Sequence, residues 1–191
     1  PLCDCYIEGF RSMVPATLLL AMAWSLAGIC SSQYLDLGGY VGDIVRGHAG
    51  FIMFLPAVFF LVSFVLSFAT GSSWGTFGIL IPIVVAATGT NDLNMLTIAV
   101  AAVLAGAVAG DHISPISDTT IMASAGAQCH HIDHVSTQIP YALVVIAACV
   151  IGYIVAGITD NEIAGIIAGY VALFGEMIYI YNFKMKDHAA G

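Results

Sequence analysis

The chain has 191 residues, of which 60 % are hydrophobic and 8 % charged; four basic and 12 acidic side chains give a formal net charge of −8. A soluble domain has roughly a quarter of its residues charged and a disordered chain is more polar still, so both classes are excluded, and four basic residues make nucleic acid a poor partner. The five cysteines are odd in number. Cys30 and Cys149 sit inside apolar blocks and Cys3 and Cys5 form an isolated C-x-C, which argues against a disulfide framework and against zinc. What remains is an all-α integral membrane protein, because a chain crossing lipid must pair its own backbone polar groups.

In chain order, the start PLCDCYIEGFRS holds Asp4, Glu8 and Arg11 and does not read as a signal peptide. It also lacks an initiator Met, so the sequence is expected to be a piece of a longer chain. Residues 12–30 form the first uncharged run, long enough to span. A polar stretch with Asp36, Asp43 and Arg46 follows. Residues 49–89 are a second apolar run, about twice the length of one span, interrupted by T-G-S-S-W-G-T at 70–76. Residues 93–128 are a third, interrupted by G-D-H-I-S-P-I-S-D-T-T at 110–120. A His-rich loop is expected at 129–134. Spans at 139–159 and 163–183 flank a turn at Asp160, Asn161 and Glu162. If the second block returns to its own side and the third crosses once, Arg11, Lys184 and Lys186 share one face and Arg46 takes the other. The positive-inside rule then puts both termini in the cytoplasm. Tyr179, Tyr181 and Phe183 beside Lys184 fit an interfacial belt.

Non-helical backbone survives at membrane depth only when buried in protein or lining a water cavity, and secondary transporters build ion sites from such breaks. Gly71, Gly75 and Gly78 allow tight turns in the first interruption; Pro115 cannot continue the hydrogen-bond ladder in the second. Asp111, Asp118 and Glu176 are the acids inside hydrophobic blocks. An ionisable group there costs at least about 2.5–3.5 kcal/mol and is functional by default. Asp111 and Asp118 lie two turns apart, so on a regular helix they share a face, and with a break at Pro115 they can flank one cavity. A carboxylate in a low-dielectric site binds either a proton or a cation, and exchange follows by competition. Ser114, Ser117, Thr119 and Thr120 supply neutral oxygens beside Asp118, and Thr70, Ser72, Ser73 and Thr76 supply more from the other break.

Blander readings stand beside these. Asp118 can cap a helix. Asp111 can cap a half-helix or pair with His112, which is otherwise a proton relay. Ser72, Ser73 and Thr76 can satisfy backbone at a hairpin tip. Trp74 reads as packing and Glu176 as an interhelical hydrogen bond. His130, His131, Asp133 and His134 match no closed metal set and read as a solvated loop. The pairs Gly106/Gly110 and Gly165/Gly169 allow close helix packing but are common by chance.

The strings F-A-T-G-S-S-W-G-T-F-G-I-L-I-P-I (68–83), A-V-L-A-G-A-V-A-G-D-H-I-S-P-I-S-D-T-T-I (102–121) and H-I-D-H-V-S-T-Q-I-P-Y-A-L (131–143) resemble signatures of the NhaC-type Na⁺/H⁺ antiporters. The likeness extends from about residue 11 to about residue 157. It implies one repeat of an inverted-repeat transporter fold, with 49–89 as a re-entrant hairpin, 93–128 as a broken helix, and the chain resembling a C-terminal half. It further implies a homodimer, a missing N-terminal repeat, and Na⁺/H⁺ antiport across the cytoplasmic membrane. Asp118 would be the main carrier with Asp111 assisting, and Thr70, Gly71, Ser72, Ser73, Gly75 and Thr76 would form a substrate-binding hairpin tip. No cofactor and no metal beyond Na⁺ are implied. Relatives with these motifs also couple ions to organic acids or amino acids, so exchange of an organic substrate stays open. So do a non-autonomous subunit and, least favoured, an intramembrane hydrolase using the two acids.

Overall fold

The structure is a computed structural model that describes residues 2–29, 33–36, 40, 49–88 and 92–182. Arg46, Lys184, Lys186, Cys30, Gly89 and Phe183, on which the orientation and three of the expected boundaries rest, lie outside the described residues. Seven α-helices follow in order: α1 Leu2–Ile29, α2 Leu55–Thr70, α3 Ser73–Thr88, α4 Leu93–Ile113, α5 Asp118–Gly126, α6 His131–Thr159 and α7 Glu162–Ile180; a 3-10 turn, Ala49–Phe54, leads into α2. Among the described residues there is no strand, and four segments are long and apolar enough to cross a membrane: Ile52–Thr70, Leu93–Ile113, His131–Thr159 and Glu162–Ile180. The protein is therefore an all-α membrane protein.

Two helices begin earlier than the apolar runs that define them. Helix α1 starts at Leu2, and its polar first turns carry a Glu8–Arg11 pair at 3.6 Å, one turn apart. Helix α6 starts at His131, so the expected His-rich loop is largely helix: Asp133 lies in the first turn and the His134 N–H already bonds the His130 carbonyl. An acidic first turn complements the helix dipole, and apolar runs do not report such polar turns. The caps are otherwise local. The Asp92 side chain accepts from the Met95 N–H at the start of α4, and Asn161 accepts from Ile163 and Ala164 at the start of α7.

The centre of the molecule is the contact between α2 and α4, which run parallel. Ser63 Oγ donates to the Val103 carbonyl and Ser67 Oγ to the Ala107 carbonyl, both at 2.6 Å. The same contact is closed by glycine. A Cβ on Gly106 would land on the Phe60 carbonyl oxygen, and one on Gly110 on the Phe64 carbonyl oxygen. Small residues at helical spacing let two backbones approach, which is how helices associate where lipid removes the hydrophobic drive. Leu55, Phe59, Leu80, Val84, Ala99 and Val103 pack where α3 joins this pair, and Phe60, Ala102, Ile113 and Ile146 pack where α6 joins it.

Helices α6 and α7 form an antiparallel pair through Gly152, Ala156, Gly165 and Gly169, and Gly157 abuts the Met53 carbonyl. Tyr153 Oη donates to the Ala101 carbonyl at 3.1 Å and Asn94 Nδ2 to the Asp160 carbonyl at 3.4 Å, so α6 runs antiparallel to α4. Ile166, Ile167, Tyr170, Val171 and Phe174 of α7 are exposed, as expected of a face toward lipid. Replacing Ser67 with Ala removes one interhelical hydrogen bond at nearly constant volume. We expect a loss of about 0.6 kcal/mol, and no more than about 1.7, read as a small fall in Tm in detergent.

Candidate functional site

Both interruptions fall in the expected stretches, and tertiary packing brings them together. The first is a tight turn at Gly71 and Ser72. Gly71 has φ 65°, ψ 26°, and its N–H bonds the Ser67 carbonyl, closing α2 with a left-handed residue. The second is the extended stretch between α4 and α5, where Ser114 (φ −73°, ψ 128°) and Ser117 (φ −71°, ψ 134°) leave the helical region on either side of Pro115 and Ile116. A Cβ on Gly71 would come within 2.8 Å of Ile116 Cγ1 and 2.9 Å of its carbonyl oxygen, so the turn of one broken segment rests on the unwound backbone of the other. Ser114 Oγ adds a bond to the Phe68 carbonyl at 2.8 Å. Replacing Gly71 with Ala should cost roughly 1–2 kcal/mol for the left-handed backbone alone and also push Ile116 away; a lowered Tm together with altered proteolysis at the break is the expected readout.

The two acids have unlike surroundings. Asp111, in the last turn of α4, is 8 % exposed, and its Oδ1 is buried without a hydrogen-bond partner. Its own carbonyl accepts from Thr120 Oγ1 at 3.4 Å, which also reaches the His112 carbonyl at 3.2 Å. Asp118, the first residue of α5, is exposed, and its Oδ1 accepts from the Thr119 N–H at 2.8 Å, a helix-start role. His112 is exposed and no bond joins its ring to Asp111. Ser117 and Thr119 share a hydroxyl hydrogen bond of 2.6 Å.

At the hairpin tip the hydroxyls serve the backbone. Ser72 Oγ accepts from the Gly75 N–H at 3.3 Å, Thr76 Oγ1 donates to the Ser72 carbonyl at 3.0 Å, and Thr70 Oγ1 donates to the Leu66 carbonyl at 2.9 Å. Ser73 is half-buried at the start of α3. Among the described residues, no hydrogen bond links Ser72, Ser73 or Thr76 to Asp111 or Asp118. Trp74 is 71 % exposed, touching Phe77 edge-on. No group of three His, Cys, Asp or Glu among the described residues is arranged to hold a metal ion.

One residue at the site escapes sequence reasoning. His131, half-buried, places Nε2 2.7 Å from the Pro115 carbonyl and Nδ1 3.1 Å from Ser124 Oγ. Its chain neighbours are polar, so it reads as loop; the bond that matters comes from a segment distant in sequence. The Ser63/Ser67 contact left a signal, since serines one turn apart in an apolar run match the spacing of Gly106 and Gly110.

A bundle of apolar helices with two breaks in contact defines a multi-pass membrane protein. The family model described as "Na+/H+ antiporter family" matches residues 3–158, and the chain belongs to that family, which is one of transporters and not of enzymes. It is 45 % identical over 181 residues to an uncharacterized protein of Haemophilus influenzae, covering 95 % of this chain and 34 % of that one. It is 29 % identical over 160 residues to the malate-2H(+)/Na(+)-lactate antiporter of Bacillus subtilis (79 % and 32 %) and 39 % identical over 108 residues to the arginine/ornithine antiporter ArcD of Halobacterium salinarum (54 % and 22 %). The chain thus spans about a third or less of the length of these curated relatives. No solved structure matches it.

Proposed function

We propose that this chain forms an ion-carrying unit of a Na⁺/H⁺ antiporter of the cytoplasmic membrane. The observation that carries the reading is the buried Asp111 Oδ1, which has no protein partner. In this reading a proton and Na⁺ take turns on that oxygen, since an acid at membrane depth is functional by default. Asp111 is the main carrier in this reading. Asp118, exposed at the head of α5, assists, with the neutral oxygens of Ser114, Ser117, Thr119 and Thr120 nearby in the chain.

Helix α3 has 16 residues, about 24 Å at 1.5 Å per residue, short of the ~30 Å hydrocarbon core. That length supports a re-entrant hairpin, paired with the broken helix α4–α5 in one of two inverted repeats. A complementary repeat and a second copy complete the transporter, with both termini cytoplasmic.

The test is Na⁺-induced proton movement in proteoliposomes under an imposed pH gradient. Parent protein should dissipate the gradient only when Na⁺ is present. Asp118→Asn should weaken the response without abolishing it, because Asp118 already holds a backbone N–H. A parent that moves protons without Na⁺, or Na⁺ without protons, overturns the assignment.

The relatives named for malate/lactate and arginine/ornithine exchange favour a second reading, in which an organic acid or amino acid moves with the ion or in its place. No Lys or Arg lies in either break, which weighs against a multiply charged anion. Adding malate, lactate or amino acids to the same vesicles separates the two, and adding the complementary repeat tests whether this unit works alone.

A further inference from the structure

We propose that His131 is a positioning residue of the ion site, holding the unwound Pro115–Ile116 peptide in one orientation through its Nε2–H; this rests on the antiport reading above. A carbonyl oxygen can only accept, so at 2.7 Å from the Pro115 oxygen the Nε2 atom must carry the hydrogen. The other side of the same peptide is held too. The Ile116 N–H reaches Ser114 Oγ at 3.4 Å, and that hydroxyl gives its own hydrogen to the Phe68 carbonyl at 2.8 Å. In a trans peptide the C=O and N–H point opposite ways. One peptide plane is therefore gripped from both edges, by α6 on one side and by the α2 end of the hairpin on the other.

The grip matters because this peptide lies at the Pro115 break, where no backbone donor among the described residues serves the Pro115 oxygen. The Thr119 N–H, four residues on, is taken by Asp118 Oδ1. The ring is itself oriented, since its bare Nδ1 lies 3.1 Å from the buried Ser124 Oγ, whose single hydrogen goes to that nitrogen in place of the Ile121 carbonyl 2.8 Å away. His131 thus ties α6, α5 and the break at one point, with the Asp111 and His112 carbonyls joined to α5 through Thr120. Loss of the Nε2 donor frees the peptide to rotate and loosens the break that the Ser114 N–H and Thr120 hydroxyl tie to the Asp111 carbonyl.

The experiment compares parent, His131→Ala and His131→Gln in the full chain, with Gln supplying an N–H donor without the ring. Two readouts are taken: half-saturating Na⁺ against maximal rate in vesicles, and backbone hydrogen exchange over residues 114–121. His131→Ala should raise half-saturating Na⁺ by roughly five- to tenfold, the worth of one buried hydrogen bond, with a smaller change in maximal rate and faster exchange at the break. His131→Gln should recover most of both. Equal behaviour of parent and His131→Ala in both readouts overturns the proposal, as does equal damage from Ala and Gln, which would mean the ring's bulk is what counts. Should His131→Ala fail to fold, Ser114→Ala loosens the other edge of the same peptide and must give the same affinity and exchange shifts. If the parent shows no Na⁺ response even with the complementary repeat added, the antiport reading falls, and the exchange comparison still decides whether His131 holds the break.

Discussion

Asp111→Asn is expected to bring Na⁺-dependent proton movement down to the background of protein-free vesicles while the protein folds normally. Asn matches Asp in size and keeps a side-chain oxygen, so packing at the end of α4 should survive. What it loses is the charge that attracts Na⁺ and the site that takes the proton. The stability of the variant separates a carrier from a structural acid. Oδ1 of Asp111 is buried with no partner, and such a group costs at least about 2.5 kcal/mol at membrane depth. Removing it should leave Tm equal to that of the parent or above it. A structural acid would show the reverse, with Tm falling and transport lost only through unfolding. Na⁺ should also raise the Tm of the parent and not of Asp111→Asn, because a ligand stabilises only the state that binds it. Full antiport by Asp111→Asn would return the role to Asp118.

The second large effect is expected from Gly110→Val. A Cβ at Gly110 lands on the Phe64 carbonyl oxygen and sits 2.8 Å from the Phe68 backbone nitrogen. Neither is the free end of a flexible side chain, so α4 must move off α2 as a body. Overpacking of a well-packed interior costs about 1–3 kcal/mol even where side chains can adjust, and here the neighbour is backbone. Separation would also pull the Ser67 and Ser114 hydroxyls from the carbonyls they reach across this contact and carry Asp111 away from the hairpin. Loss of the monodisperse peak in size-exclusion chromatography, or a large fall in Tm, is the expected result. Gly126→Val is the control: nothing lies within 4 Å of a Cβ there, so only the modest difference in helix propensity applies, under about 1 kcal/mol. Equal behaviour of the two variants would show that the α2–α4 contact is looser than its geometry.

Much of this was legible from local features. Sixty per cent hydrophobic residues and so few charges set the membrane class, because lipid selects composition irrespective of fold. Gly71 and Pro115 marked the interruptions, since a left-handed residue and a missing N–H are properties of single residues. Asp111 and Asp118 were legible as candidates because an acid in an apolar run is costly wherever the run packs. Which of the two acids is buried was not legible. They differ in which helix face meets a neighbour, and that depends on α2 lying along α4, a contact made by serines and glycines spread over residues 63–110. His131 was hidden for the same reason, its partner at Pro115 lying on another element. Composition and chain-breaking residues, acting within a few positions, determined that this is a helical membrane protein broken at two places. Only the tertiary structure decided that the breaks touch, that Asp111 is the buried acid, and that a histidine holds the unwound peptide, because burial and long-range hydrogen bonds exist only once distant helices have packed.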